Sequence, residues 1–127
     1  MSDKVILIID DEDEVCRVVK EGLERLDSSK VLAANNGKDG LHIAKKSQPD
    51  LILLDIGMPS MNGFQVLELL KEDHETYHIP VVMLTAENED AFKITASRLY
   101  SEDYITKPTS VMEVKNKIDP ILARFGK

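Results

Sequence analysis

Short apolar runs alternate with helical patterns along the whole chain, and this alternation restricts the possible folds more than any other feature. The runs are VILII (5–9), VLAA (31–34), LILL (51–54), PVVML (80–84) and DYITK (103–107). Three of them are continuously apolar, as strands buried on both faces of a parallel sheet are. Between the first two runs, Val15, Val18, Val19, Gly22, Leu23 and Leu26 recur at the spacing of one helix face. Gly63, Val66, Leu67 and Leu70 repeat that spacing, and a shorter helix is expected from Lys38 to Lys46. A weaker helix is expected over 87–99, with Glu87, Glu89 and Asp90 at its start and Phe92, Ile94 and Leu99 as its large apolar residues. A last helix is expected from Ser110 to Phe125, kinked or ended by Pro120, which removes a backbone bond. Five strands alternating with five helices imply a doubly wound α/β domain with right-handed crossovers.

The length suits a single domain, 1–127, with no linker, repeat or low-complexity segment. Such a chain buries about two-thirds of its unfolded surface and needs neither disulfides nor metal to fold. The 16 basic and 23 acidic residues leave a net charge of −7, which argues against direct nucleic-acid binding. Cys16 is the only cysteine, so no intramolecular disulfide can form, and it is expected to pack beside a helix stripe. The first apolar run is too short for a signal peptide and no run approaches the length of a membrane span. A cytoplasmic protein without a membrane partner is expected.

Ligands of open α/β sheets bind beyond the carboxyl ends of the strands, near the topological switch point. The residues that end the strands here are Asp10 with Asp11, Asp55, Thr85 and Lys107. Three carboxylates, a hydroxyl and an ammonium on one edge suit a hard cation and a phosphoryl group. Mg²⁺ takes one or two carboxylates, a carbonyl and several waters. A carboxylate beside it is a competent nucleophile toward phosphorus. Asp10, Asp11, Glu12, Asp13 and Glu14 are consecutive, and like charges about 4 Å apart repel by roughly 4 kcal/mol at an effective dielectric near 20. Two of these acids are expected to share a cation with Asp55, while Glu12, Asp13 and Glu14 dress a helix start.

The motifs IIDDEDEV, LILLDIGMPSMNGFQVL, VVMLTAENE and DYITKP carry a resemblance to the receiver domain of two-component response regulators, over nearly all of the chain. The resemblance implies a flavodoxin-like strand order of 2-1-3-4-5. It implies that Asp55 accepts a phosphoryl group from a histidine kinase or a histidine phosphotransfer protein. Asp11 and Asp55 would be direct Mg²⁺ ligands, the Gly57 backbone carbonyl a third, and Asp10 a ligand through water. Lys107 would hold a phosphoryl oxygen and Thr85 would hydrogen-bond the group. Tyr104 would turn inward behind Thr85, moving a partner-binding surface near the fourth helix and the fifth strand. Pro108 would follow Lys107 through a cis peptide. Gly57 and Glu87 occupy positions that tune dephosphorylation in the family. On this reading the chain is a signalling switch that phosphorylates and dephosphorylates only itself, not a turnover enzyme, and its output is a downstream protein partner or an output domain. Tyr100 and Ser101 stand where a Gly-Ala pair is typical, and Pro120 bears on any dimer contact through the last helix.

Other readings compete with this one. HETYH (74–78) matches the H-E-x-x-H zinc motif, but Pro80 follows closely, pushes Ile79 toward an extended conformation and leaves no helix long enough to pair the histidines. His42 is expected on a helix surface. Residues Asp11 to Val15 spell a version of the D-x-D-x-[TV] signature of haloacid-dehalogenase-type phosphatases, yet that alternative leaves Asp55, MPSMNG and Tyr104 without roles. A receiver-like binding module that is never phosphorylated is a third alternative. An EF-hand fails because its required glycine is Cys16.

Overall fold

The computed structural model describes residues 3–86, 100–107 and 110–125. Five parallel strands, β1 (Val5–Ile9), β2 (Lys30–Ala34), β3 (Leu51–Asp55), β4 (Val81–Thr85) and β5 (Asp103–Thr106), form one sheet in the order β2-β1-β3-β4-β5. The described helices are α1 (Asp13–Leu26), α2 (Gly37–Ser47), α3 (Gly63–Glu72) and α4 (Val111–Phe125). The helix expected over 87–99 lies outside the described residues, as do Glu87 and Pro108.

Strand alternation sorts the apolar side chains into two layers. Ile6, Ile8, Leu51, Leu53, Val82 and Leu84 pack with the apolar stripes of α1 and α4. Leu7, Ile9, Ile52, Leu54, Val81 and Met83 pack with those of α2 and α3. Every residue of β3 and β4 is buried, which accounts for their unbroken apolar sequence. On the first face α1 and α4 approach closely at Gly22, where a β-carbon would come within 2.6 Å of both Val111 methyl carbons.

Short-range hydrogen bonds start most of the helices. Asn36 caps α2 by accepting from the Asp39 N–H at 2.8 Å. Asn62 and Gln65 form a reciprocal capping box on α3. Ser110 and Glu113 do the same ahead of α4, at 3.1 Å in both directions. Glu12 occupies the corresponding position of α1 but makes no side-chain capping bond.

Pro120 does not end the last helix, which continues to Phe125. The carbonyl that loses its N–H donor is that of Asn116, and both residues are exposed, so water can replace the missing bond. Buried Ile118, Ile121 and Leu122 hold the helix to the sheet on either side of the proline.

The HETYH stretch follows the end of α3 at Glu72 and forms turns, with His74 and His78 exposed. Its middle residue, Thr76, is buried, and its hydroxyl donates to the Leu70 carbonyl at 2.8 Å. His42 is exposed on α2, and Cys16 is buried on α1, both as expected. No described helix is long and apolar enough to cross a membrane.

Candidate functional site

The parallel register delivers the strand ends to one edge of the sheet. Asp10 follows β1, Asp55 ends β3, Thr85 ends β4 and Lys107 follows β5. The Asp10 N–H donates to Ala34 at 3.0 Å, and the Lys107 N–H donates to Thr85, so backbone bonds carry the sheet pattern into the site. The edge opens into a cleft of about 680 Å³ lined by Asp11, Glu12, Asp55, Gly57, Ala86 and Lys107, with valines of α1 on one side.

Asp10 is fully buried, Asp55 and Thr85 nearly so, and Asp11 is exposed. The Lys107 ammonium lies 3.2 Å from Asp10 Oδ2, 3.1 Å from Asp55 Oδ1 and 2.9 Å from Glu12 Oε1. The other Asp10 oxygen accepts from the Glu12 N–H at 2.9 Å, and the Gly57 N–H donates to Asp55 Oδ1 at 3.4 Å. Behind the site the Cys16 thiol donates to the Asp10 carbonyl at 3.3 Å. Burial first, then nearby acids, pushes that thiol up to about 11, so it is an inert packing group at neutral pH.

Gly63 fixes the floor of the site. Its N–H donates to the Ile56 carbonyl at 2.8 Å, and a β-carbon there would overlap the Asp55 carbonyl oxygen. The start of α3 can therefore press against the backbone that presents Asp55 only because the residue has no side chain. In the preceding turn Ser60 adopts φ 66°, a left-handed conformation that normally favours glycine.

The charges in the cleft do not balance. Burial raises the Asp10 carboxyl above its ordinary range, against the pull of the Glu12 N–H and of Lys107. Asp55 is raised by burial and then by the charge of Asp10. Asp11 rises through loss of water and then through its contact with Asp55. Burial works to lower Lys107, but its bond to Glu12 and the charges of Asp10 and Asp55 outweigh that and hold it above its usual value. Oxygens of Asp10, Asp11 and Asp55 all lie within 4.8 Å of one another, an all-oxygen donor set that fits a hard cation.

Asp10, Asp11, Asp55, Thr85 and Lys107 thus share one edge, as the strand-end reading expects, and Gly57, singled out by the resemblance alone, lines the same cleft. Tyr104 stands in register with Met83, and Thr106 with Thr85, so Tyr104 and Thr85 belong to the same face of the sheet. Tyr104 is half-buried and packs against the layer that holds α2 and α3. The expectation for Glu12 needs correction. Its side chain crosses the cleft to Lys107 instead of dressing the helix start. A contact between residues 12 and 107 leaves no signal in local spacing. Asp13 and Glu14 do lie exposed in the first turn of α1.

The sequence matches the response regulator receiver domain family over residues 6–119. It is 37% identical over 118 residues to Protein PilH of Pseudomonas aeruginosa, covering 93% of this chain and 97% of that protein. It is 36% identical over 121 residues to the alkaline phosphatase synthesis transcriptional regulatory protein PhoP of Bacillus subtilis, covering 95% of this chain but 49% of that one. The chain therefore spans about half the length of this transcriptional regulator and nearly all of PilH. Among solved structures, the N-terminal domain of a response regulator receiver protein from Methanoculleus marisnigri JR1 superimposes with a TM-score of 0.78 at 37% identity, over 97% of this chain and 99% of that one. These matches, with the 2-1-3-4-5 sheet and the acidic cluster at its edge, place the chain in the response regulator receiver family of two-component signalling systems.

Proposed function

We propose that residues 1–127 form one receiver unit in which Asp55 is the phosphoacceptor, in a Mg²⁺-dependent reaction that switches a partner-binding surface. The observation that carries this reading is the placement of a nearly buried Asp55 carboxylate between the Lys107 ammonium and two further acids. The donor is a phosphohistidine on a sensor kinase or phosphotransfer protein. An Asp55 oxygen forms the new P–O bond as the N–P bond breaks. The electron pair leaves with the imidazole, which takes a proton. Asp11, Asp55 and the Gly57 carbonyl would hold Mg²⁺ directly and Asp10 through water. The ion supplies charge neutralisation for the phosphoryl oxygens.

Catalysis of this kind is mostly positioning and charge compensation. Lys107 is already beside Asp55 and stays protonated, so it can take a phosphoryl oxygen as charge accumulates. Phosphorylation brings up to two negative charges and new acceptor oxygens. The Thr85 hydroxyl, at the end of the neighbouring strand, is an uncharged side-chain donor that can turn toward them. Movement of Thr85 opens space on the sheet face that it shares with Tyr104, and Tyr104 turns inward to fill it. A swing from 1:99 to 99:1 in such a switch requires about 5.5 kcal/mol of preference for the active state.

Gly57 is exposed beside Asp55 and leaves water a clear approach to the phosphoryl group, so the protein reverses its own modification. Glu87 and Pro108, both outside the described residues, complete the proposed set. The chain acts as a switch and not as a turnover enzyme, passing its signal to a downstream protein or output domain. Borohydride mapping tests the assignment. Reduction of a phosphorylated sample should convert residue 55 to homoserine, whereas homoserine at another acidic position would refute it.

A further inference from the structure

Lys107 is saturated in the resting protein. An ammonium has three N–H donors, and three carboxylates lie 2.9 to 3.2 Å from its nitrogen. A phosphoryl oxygen that reaches Lys107 must therefore displace one of them. Asp10 is fully buried and its second oxygen is tied to the Glu12 N–H. Asp55 is the acceptor itself. The Glu12 side chain is 59% exposed, so water can solvate it as it departs. Glu12 also stands at the cap position of α1 without capping it, its carboxylate turned instead to Lys107.

We propose that Glu12 is a positioning residue whose carboxylate occupies the Lys107 hydrogen bond that an incoming phosphoryl oxygen takes over. The inference rests on the reading of Asp55 as the phosphoacceptor. Glu12 holds Lys107 over the cleft before phosphorylation and competes with the phosphoryl group for it. It also places a negative charge where an anionic donor must approach. Transfer from an acyl phosphate needs no other reactant. The new bond joins an Asp55 oxygen to phosphorus, the bond from phosphorus to the acyl oxygen breaks, and the electron pair leaves on the carboxylate product. Each such event first releases Glu12, so the residue restrains phosphoryl capture.

Two variants separate this contact from capping and from net charge. Glu12→Gln keeps the length and removes the charge. Glu12→Asp keeps the charge on a side chain one methylene shorter, and aspartate is a good helix cap. Phosphorylation by acetyl phosphate, at saturating Mg²⁺ and limiting donor, is followed by intact mass. Both variants should react faster than wild type by about two- to five-fold, the equilibrium equivalent of one exposed ion pair. A second readout needs neither metal nor phosphate. In ¹⁵N NMR of the metal-free protein, the Lys107 ammonium protons should exchange with water faster in both variants than in wild type. An unchanged Lys107 signal, or a rate no higher than wild type in either variant, would overturn the proposal. Acceleration by Gln but not by Asp would assign the effect to net charge and overturn it too. Wild type modified at Asp55 without acceleration in the variants would sink this inference alone. No adduct on wild type would remove the phosphoacceptor reading beneath it as well.

Discussion

Lys107 Nζ stands 3.1 Å from Asp55 Oδ1 and 3.2 Å from Asp10 Oδ2, with all three side chains largely withdrawn from water. One ammonium therefore serves two buried acids while Asp11 and Glu12 add charge at the rim. The excess of negative charge suits the site to a cation and makes it a weak point of the metal-free fold.

Removing one buried charge should stabilise the metal-free protein. Asp10→Asn keeps an acceptor for the Glu12 N–H while ending the cost of a carboxylate in a dry site. Its metal-free Tm should rise by roughly 3 °C or more, the shift that about 1 kcal/mol produces in a domain of this size. Mg²⁺ should raise the wild-type Tm by mass action and raise that of the variant less. Thermal unfolding with and without Mg²⁺ checks both; a destabilised variant would contradict the charge account.

The pH dependence follows with its sign. A carboxylate whose folded pKa lies above its unfolded value adds stability as pH falls through the folded value and removes it as pH rises. Asp10, Asp11 and Asp55 are of this kind. Glu24, Asp27 and Asp73 are lowered, so their contribution is present above the unfolded pKa and lost as pH falls through the folded one. The metal-free Tm should rise as pH drops from 7 toward the ordinary carboxylate range, then fall below it. A monotonic fall from pH 7 would count against the strained acidic site.

Gly63→Ala should be costly because its β-carbon meets the Asp55 carbonyl, which cannot move without shifting the acceptor. Overpacking against backbone of this kind costs about 1–3 kcal/mol. Urea unfolding gives the loss directly. Equal stability to wild type would mean that α3 can retreat from the site freely.

Thr76→Val keeps the shape of a buried side chain and deletes its bond to the Leu70 carbonyl. The expected loss is about 1–2 kcal/mol. The phosphorylation rate should not change, because Thr76 sits in the turn after α3, away from the cleft. A change in rate would link that turn to the site.

Replacing Gly57 by a bulky residue such as Met should lengthen the lifetime of the phosphorylated form several-fold by narrowing the approach of water. Decay of the intact-mass adduct after donor removal measures it; an unchanged lifetime would remove Gly57 from the dephosphorylation step.

The sheet was legible because buried parallel strands leave apolar runs and their ends fall at one edge. Asp10, Asp11, Asp55, Thr85 and Lys107 could all be placed from that rule. Glu12 could not, since its contact with Lys107 closes across 95 positions of sequence and depends on a side-chain direction. Thr76 was hidden inside a stretch whose letters imitate a zinc site. Pro120 does not end the helix, which runs to Phe125 as its apolar pattern implied, because the rule concerns a missing bond and on an exposed face water can supply the lost partner.

The most direct test is intact-mass spectrometry after incubation with acetyl phosphate, with and without Mg²⁺, on wild type and Asp55→Asn. The account predicts a single phosphoryl adduct on wild type that requires Mg²⁺ and is absent from the variant. An adduct of equal yield on Asp55→Asn, or one indifferent to Mg²⁺, would contradict it.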